Sequence, residues 1–139
     1  RMLQVSTAEV QSDRIKSVRE LSRRFGDCWV VLKGHQTLMG TARSELLVNC
    51  SGNPHLAQGG SGDLLSGYIG GLLAQPELQR DPAQTLAYAV WQHGAAADAL
   101  EAQQPNWTVE DLAGRLGAVL PEGDRRASDR SVKGRNGSA

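Results

Sequence analysis

The sequence predicts an α/β fold in which a sheet is covered by helices. The short apolar run at residues 28–32 is rich in β-branched side chains, which is typical of a buried strand in a parallel sheet. After a first helix, segments with strand character precede the remaining segments with helical periodicity, and the connection after the last strand is rich in glycine. Three strands make a small sheet with open edges, so we expect further strands from a preceding N-terminal portion.

The first predicted element is an amphipathic helix that ends at Gly26. Ser6 and Glu9 have the spacing of a capping box, and apolar residues then follow mostly at helical spacing as far as Phe25. The three strands are predicted at residues 28–32, 38–40 and 45–50.

The second half of the chain is predicted to be mainly helical after one long loop. Residues 51–62 contain four glycines and a proline, which favours neither helix nor strand, and helical character resumes at 63–74. Helix signals are also present at Asp81 with Pro82, for a helix through about Gln103, and at Thr108, for a helix that ends before Pro121. We therefore predict one domain at residues 1–121 and a polar, disordered tail at 122–139.

Charge and composition disfavour several classes of partner. The 15 basic and 15 acidic residues give a formal net charge of zero, which provides no excess of cations for a nucleic acid or an anionic membrane. No apolar run is long enough to span a bilayer, and the first residues lack a signal-peptide core, so we expect a cytoplasmic protein. Cys28 and Cys50 have no metal-site spacing and are predicted to be buried thiols.

The chemistry is predicted where the glycine-rich loop runs into a helix. Unpaired N–H groups at a helix N-terminus attract anions, and glycines allow a phosphate to approach the main chain. The predicted anion-binding loop consists of Gly59, Gly60, Ser61 and Gly62. It is neither a Walker A motif nor a dinucleotide-binding GxGxxG motif.

Asp63 follows this loop directly and has two interpretations. Aspartate is common as a helix cap, which would explain a lone carboxylate. An ordinary cap needs no preceding glycines, however, so the loop favours a general base that takes the proton of a hydroxyl attacking a phosphoryl group.

The motif as a whole resembles a known family. Residues 59–63, Gly-Gly-Ser-Gly-Asp, resemble the signature of ribokinase-like proteins, and residues 53–67 resemble the ADP/ATP-dependent NAD(P)H-hydrate dehydratases within that superfamily. Residues 30–37, 71–75 and 93–98 are similar to further segments of that family in the same order. Gln58 departs from the family, which more often has threonine there. The resemblance implies a ribokinase-like three-layer α/β/α fold, of which this chain is a C-terminal part.

The resemblance also implies roles for individual residues. It implies that Gly62 contacts the phosphate end of an adenine nucleotide and that Asp63 meets the hydrated nicotinamide. The residues that would line the nucleotide are Lys33, Gly34, His35, Gln36 and Thr37. For Lys33 the sequence agrees independently, because ligands of α/β proteins bind at the carboxyl ends of strands.

The reaction implied is the repair of hydrated NADH or NADPH with ADP or ATP as co-substrate. The nucleotide would phosphorylate the ring hydroxyl, with Mg²⁺ screening the phosphates, and elimination of phosphate would restore the dihydronicotinamide. The protein's own residues are not predicted to form a metal site, and a homo-oligomer is expected for the full-length protein. Two alternatives remain open: a ribokinase-like small-alcohol kinase, and an inactive fragment that only binds a nucleotide.

Other conspicuous side chains are predicted to have structural roles. His93 and Asp98 lie five residues apart on one helix and do not share a face, which favours packing over catalysis. His55 is expected at the loop surface without a partner. The three tryptophans are scattered over separate elements, which favours packing over a stacking platform.

Overall fold

The computed structural model describes residues 2–119, so the predicted tail at 122–139 lies outside the described residues. The helices are α1 Thr7–Ser12, α2 Arg14–Arg24, α3 Ser61–Leu73, α4 Pro82–Glu101 and α5 Val109–Arg115. The strands are β1 Val30–Leu32, β2 Thr37–Gly40 and β3 Leu47–Asn49, and a 3₁₀ turn covers Pro54–Ala57. None of the described helices is long and apolar enough to cross a membrane.

The predicted N-terminal helix is divided in two at Asp13. The capping box of Ser6 and Glu9 is present at the start of α1, as predicted. Asp13 then leaves the helical conformation, and its carboxylate accepts a hydrogen bond of 2.9 Å from the N–H of Lys16 at the start of α2. Asp13 is thus both the end of one helix and the N-cap of the next.

The sheet is antiparallel, so the prediction of a parallel strand at 28–32 was wrong. β1 pairs with β2 and β2 pairs with β3, both in antiparallel register. The reason is the connection between β1 and β2, since residues 33–36 are too few for the crossover that parallel strands require. β1 is an edge strand of the described sheet and is half-buried rather than buried.

Helices cover both faces of the central strand. All four residues of β2 are buried, and successive side chains of a strand point to opposite faces. Met39 packs with Leu65 of α3 and Val90 of α4, while α2 contacts β1 and β2. Since Met39 uses the α3 and α4 side, α2 must cover the face to which Leu38 points. The predicted α/β layering is therefore present, although the sheet is antiparallel.

A second core joins α4 to α5. Trp107 is 1% exposed and packs with Leu112 and with alanines of α4, which confirms a packing role for this tryptophan. Asp81 caps α4 through the N–H of Gln84, and Thr108 forms a capping box at α5. Both helices therefore begin where the sequence predicts.

Two further expectations were wrong. Cys28 and Cys50 are both exposed, because they lie just outside the ends of β1 and β3 rather than within the sheet. Residues 51–62 were predicted to lack helix, yet Asn53 caps the 3₁₀ turn through the N–H of His55, and α3 already begins at Ser61. Proline at the first position of a turn suits its fixed φ angle, and the Asn-Pro pair is the signal that the prediction overlooked.

Candidate functional site

A cavity of about 630 Å³ lies beside the turn between β1 and β2. Its walls come from this turn, from the segment that follows β3, and from one side of α4 with Leu65 of α3. The turn contributes every residue that the sequence associates with a nucleotide: Lys33, Gly34, His35, Gln36 and Thr37. The structure therefore gathers these five residues at one cavity.

The turn at 33–36 has a special main-chain conformation. Gly34 has a φ of +142° and Gln36 a φ of +55°, both in the region that side chains rarely adopt. The Thr37 hydroxyl donates a hydrogen bond of 3.2 Å to the carbonyl of Gly34. The side chain of Arg14, from α2, donates to the carbonyls of Leu32 and His35. The chain thus reverses tightly at the wall of the cavity.

The opposite wall is held against α4 by close main-chain packing. A Cβ atom at Gly94 would lie 2.3 Å from the Ser51 hydroxyl oxygen and 2.6 Å from the Ser51 carbonyl carbon, so only glycine fits. The carboxylate of Asp98 accepts hydrogen bonds from the N–H of Gly52 at 2.8 Å and from the Asn53 side chain at 3.1 Å. Asp98 therefore anchors this wall and, as the sequence predicts, forms no pair with His93.

The N-terminus of α3 has no side-chain cap. Its N-cap is Gly60, with a φ of +86°, and no side chain there bonds the first-turn N–H groups. Ser61 is buried, whereas Asp63 is exposed in the first turn. Free N–H groups and positive φ angles at a helix N-terminus are the features expected of an anion site.

Lys33 joins the cavity to this helix terminus. Its ammonium donates a hydrogen bond of 3.1 Å to the Ser61 hydroxyl, and it would lie 3.5 Å from a Cβ atom at Gly62. Burial lowers the pKa of Lys33 below its ordinary value, while the nearby charge of Asp63 opposes that shift. The residues of the predicted anion loop and Asp63 do not line the cavity itself. Lys33 lines the cavity and also contacts Ser61 and Gly62, so it connects the loop to the cavity.

His93 supports the same junction from α4. Its Nε2 lies 3.0 Å from the carbonyl oxygen of Ser61, which can only accept, so Nε2 carries the proton. Burial lowers the pKa of His93, and the charge of Lys33 lowers it further, which favours the neutral ring. The Ser61 hydroxyl also donates to the carbonyl of Leu56 at 2.7 Å. The packing role predicted for His93 thus includes holding Ser61.

His55 is not the unpartnered loop residue that the sequence suggested. Its ring stacks on Trp107 with 4.4 Å between centroids, and its Nδ1 lies 3.3 Å from the Glu101 carboxylate. Glu101 also accepts a hydrogen bond of 2.9 Å from the Trp107 indole. Glu101 and Trp107 are six residues apart, but His55 comes from a distant part of the chain, so no local pattern at His55 could reveal these partners.

Protein side chains alone do not form a metal site in the described part of the chain. Residues 2–119 contain no group of three or more His, Cys, Asp or Glu side chains arranged to hold a metal ion.

Known proteins resemble the chain over most of its length. A family model described as NAD(P)H-hydrate dehydratase matches residues 1–121. An ADP-dependent (S)-NAD(P)H-hydrate dehydratase of Neisseria meningitidis is 48% identical over 102 residues, which are 73% of this chain and 33% of that relative. A Bacillus subtilis protein of the same description is 35% identical over 121 residues, or 87% of this chain and 42% of the relative.

A solved structure supports the same relationship. The ADP/ATP-dependent NAD(P)H-hydrate dehydratase of Bacillus subtilis, co-crystallized with ATP and Mg²⁺, has a TM-score of 0.74 at 30% identity. The match covers 94% of this chain and 43% of the solved chain, which confirms the predicted ribokinase-like fold. The chain thus spans between a third and a half of the length of these relatives.

Proposed function

The chain belongs to the NAD(P)H-hydrate dehydratase family, and we propose that it carries the nucleotide pocket and the catalytic base of an ADP- or ATP-dependent dehydratase. The proposed substrate is hydrated NADH or NADPH. The observation that carries this proposal is the position of the Lys33 ammonium, between the cavity and the uncapped terminus of α3 beside Asp63. The Lys33 ammonium would neutralise the negative phosphates of a nucleotide in the cavity, at the side where Ser61 of the anion loop lies.

In this proposal the adenine nucleotide occupies the cavity beside the turn at 33–37. A volume of about 630 Å³ suits a small ligand, and Leu65 and Val90 supply apolar wall beside the main-chain groups of the turn. The phosphate end lies toward Lys33 and Gly62, where a side chain larger than glycine would meet the ammonium. The amides of Gly59, Gly60, Ser61 and Gly62 supply hydrogen-bond donors for the transferring phosphoryl group.

Asp63 is proposed to act on the hydrated nicotinamide. Its exposed carboxylate takes the proton of the ring hydroxyl, and the hydroxyl oxygen forms a bond to the terminal phosphorus as the bond to the nucleotide breaks. Elimination then breaks the ring C–O bond, a proton leaves the neighbouring carbon, and phosphate and the dihydronicotinamide are released. Lys33 and the loop amides oppose the negative charge that develops during transfer.

The residues present fit a phosphate-bound Mg²⁺ better than a protein-bound one. Mg²⁺ in such sites is held by one or two carboxylates together with phosphate oxygens and water. Asp63 is an exposed carboxylate at the phosphate end of the proposed site. When bound, the ion would be held mainly by phosphate oxygens and water and would screen the phosphates, while the Asp63 carboxylate stays free to act as the proposed base.

The test is to mix the 139-residue chain with synthetic NADH hydrate, Mg²⁺ and either ADP or ATP. Recovery of absorbance at the wavelength of reduced nicotinamide, together with release of phosphate, is the expected result. A stable phosphorylated product would instead indicate a kinase of the same superfamily. Nucleotide binding without turnover would indicate a binding fragment, and either outcome would reject the proposal for this chain.

A further inference from the structure

Arg14 of α2 forms hydrogen bonds with the main chain on both sides of the Lys33-Gly34 pair. One terminal nitrogen donates to the carbonyl of His35, and the other donates to the carbonyl of Leu32 at 3.2 Å. The two carbonyls flank the residues that enter the cavity. A planar guanidinium can bridge such a pair because its donors form a rigid fork.

The two Arg14 hydrogen bonds lie on either side of Gly34, whose backbone conformation is the most unusual in the turn. Gly34 has its φ of +142° here, and a Cβ atom at this position would lie 3.3 Å from the Arg14 terminal nitrogen. The Arg14 Nε is buried and has no hydrogen-bond partner. Leaving a buried donor unpaired costs free energy, so the contacts that Arg14 makes with the turn must offset this cost. Arg14 itself does not line the cavity.

We propose that Arg14 is a positioning residue for nucleotide binding, which acts by holding the turn at 33–36 in its cavity-lining conformation. The inference rests on the proposed function, because the ligand is the adenine nucleotide of that proposal. Without the two Arg14 hydrogen bonds, the turn at 33–36 samples other conformations. Only the fraction of molecules with the cavity-lining conformation binds the nucleotide, so the apparent affinity falls. Arg14 therefore affects affinity for the nucleotide rather than the chemical step.

The chain supplies a matched control on the same helix. Arg19 also donates to two main-chain carbonyls, those of Thr41 and Ser44, at the other end of the hairpin. Neither acceptor lines the cavity. Arg14 uses both terminal nitrogens, whereas a single terminal nitrogen of Arg19 makes both bonds. Arg14→Lys and Arg19→Lys both keep the charge and disturb a guanidinium that bonds two carbonyls, and they act on different turns.

The experiment measures the affinity of the whole chain for ADP and for ATP, each with Mg²⁺, by titration calorimetry. Denaturant unfolding of each variant checks that the two substitutions cost similar stability. We expect Arg14→Lys to bind about tenfold more weakly than wild type, the loss that 1.4 kcal/mol produces, and Arg19→Lys to stay within about twofold. In the dehydratase assay, Arg14→Lys should raise KM for the nucleotide and leave kcat at saturation unchanged. Equal affinities for the two variants, or a fall in kcat alone, would overturn the inference.

A second variant and a second measurement guard against misfolding of Arg14→Lys. Gly34→Ala keeps the arginine but places a methyl group against it at a strained φ, and it should also weaken binding. Amide hydrogen exchange at residues 33–37 should be faster in Arg14→Lys than in Arg19→Lys. Wild-type affinity for Gly34→Ala, or equal exchange, would reject the positioning role while leaving the proposed function intact. If the wild-type chain binds neither nucleotide, both proposals fail together.

Discussion

Gly94→Ala should destabilise the protein even though alanine is the better helix former. An added Cβ atom would lie 2.3 Å from the Ser51 hydroxyl oxygen and 2.6 Å from the carbonyl carbon and oxygen of Ser51. Ordinary contacts between such atoms are about 3.5 Å, so the wall or the helix must move by roughly 1 Å. Rotation of the Ser51 side chain would move its hydroxyl away from the added Cβ atom but would not move the Ser51 carbonyl group.

The expected magnitude follows from two opposing contributions. Overpacking against atoms that cannot rotate away costs about 3 kcal/mol, the upper end of the usual range, because Asp98 ties the next two residues to the same helix. Replacing glycine by alanine within a helix recovers about 1 kcal/mol. The net loss in the free energy of unfolding is therefore about 2 kcal/mol.

Denaturant unfolding followed by circular dichroism measures this loss, and Gly70→Ala is the matched control. Gly70 also lies within a helix, but nothing surrounds its Cβ position within 4 Å. That variant should gain about 0.5–1 kcal/mol from helix propensity. Because Ser51 and Gly52 line the cavity, Gly94→Ala should also weaken ADP binding. A Gly94→Ala protein as stable as wild type would refute the packing argument.

Three further substitutions test other parts of the structure. Asp63→Asn keeps the size of the side chain but removes the proposed base, so turnover should fall by roughly 10²–10⁴-fold while the unfolding midpoint stays near wild type; undiminished turnover would leave Asp63 only as a negative charge in the first turn of α3. Trp107→Ala should cost about 3–5 kcal/mol by the same unfolding assay, because the indole is 1% exposed and bonded to Glu101, and a loss below about 1 kcal/mol would contradict that packing. Since the folded protein lowers the pKa of His93 from 6.5, protonation favours the unfolded chain, and stability should fall as the pH drops below about 6.5. Unfolding curves between pH 5 and 8 should show a shallower decline for His93→Gln, and equal slopes would exclude His93 as the source.

Local signals in the sequence correctly predict where most helices begin. The capping residues at Ser6, Asp81 and Thr108 act within one helical turn, so their pattern is visible over four residues. Strand direction was predicted incorrectly because the apolar run before Lys33 is compatible with either pairing. The length of the connection to β2 decides the direction. The predicted strands at 28–32 and 38–40 already left too few residues for a parallel crossover, so this signal was present in the sequence and was overlooked.

The cavity-lining turn was predictable, but the atoms that hold it in place were not. Residues 33–37 form a recognisable motif, whereas Arg14 and Asp98 act from helices far along the chain through contacts with main-chain atoms. Such contacts leave no signature in residue type, because any residue supplies a carbonyl or an N–H group. Gly94 is the exception, since a glycine within an alanine-rich helix indicates a close main-chain approach.

In the proposed function one site must serve both the nucleotide and the base, and the way in which Lys33 is held is compatible with both roles. Within residues 2–119 the salt bridges join Arg43 to Asp27 and His55 to Glu101, so Lys33 and Asp63 are near each other without forming a close ion pair. The ammonium is positioned by a neutral hydroxyl, that of Ser61, and this uses one of its three donors. A direct salt bridge would occupy the carboxylate and weaken it as a base. Anchoring the lysine on a serine instead leaves donors for a phosphate and leaves the carboxylate of Asp63 available to a substrate hydroxyl.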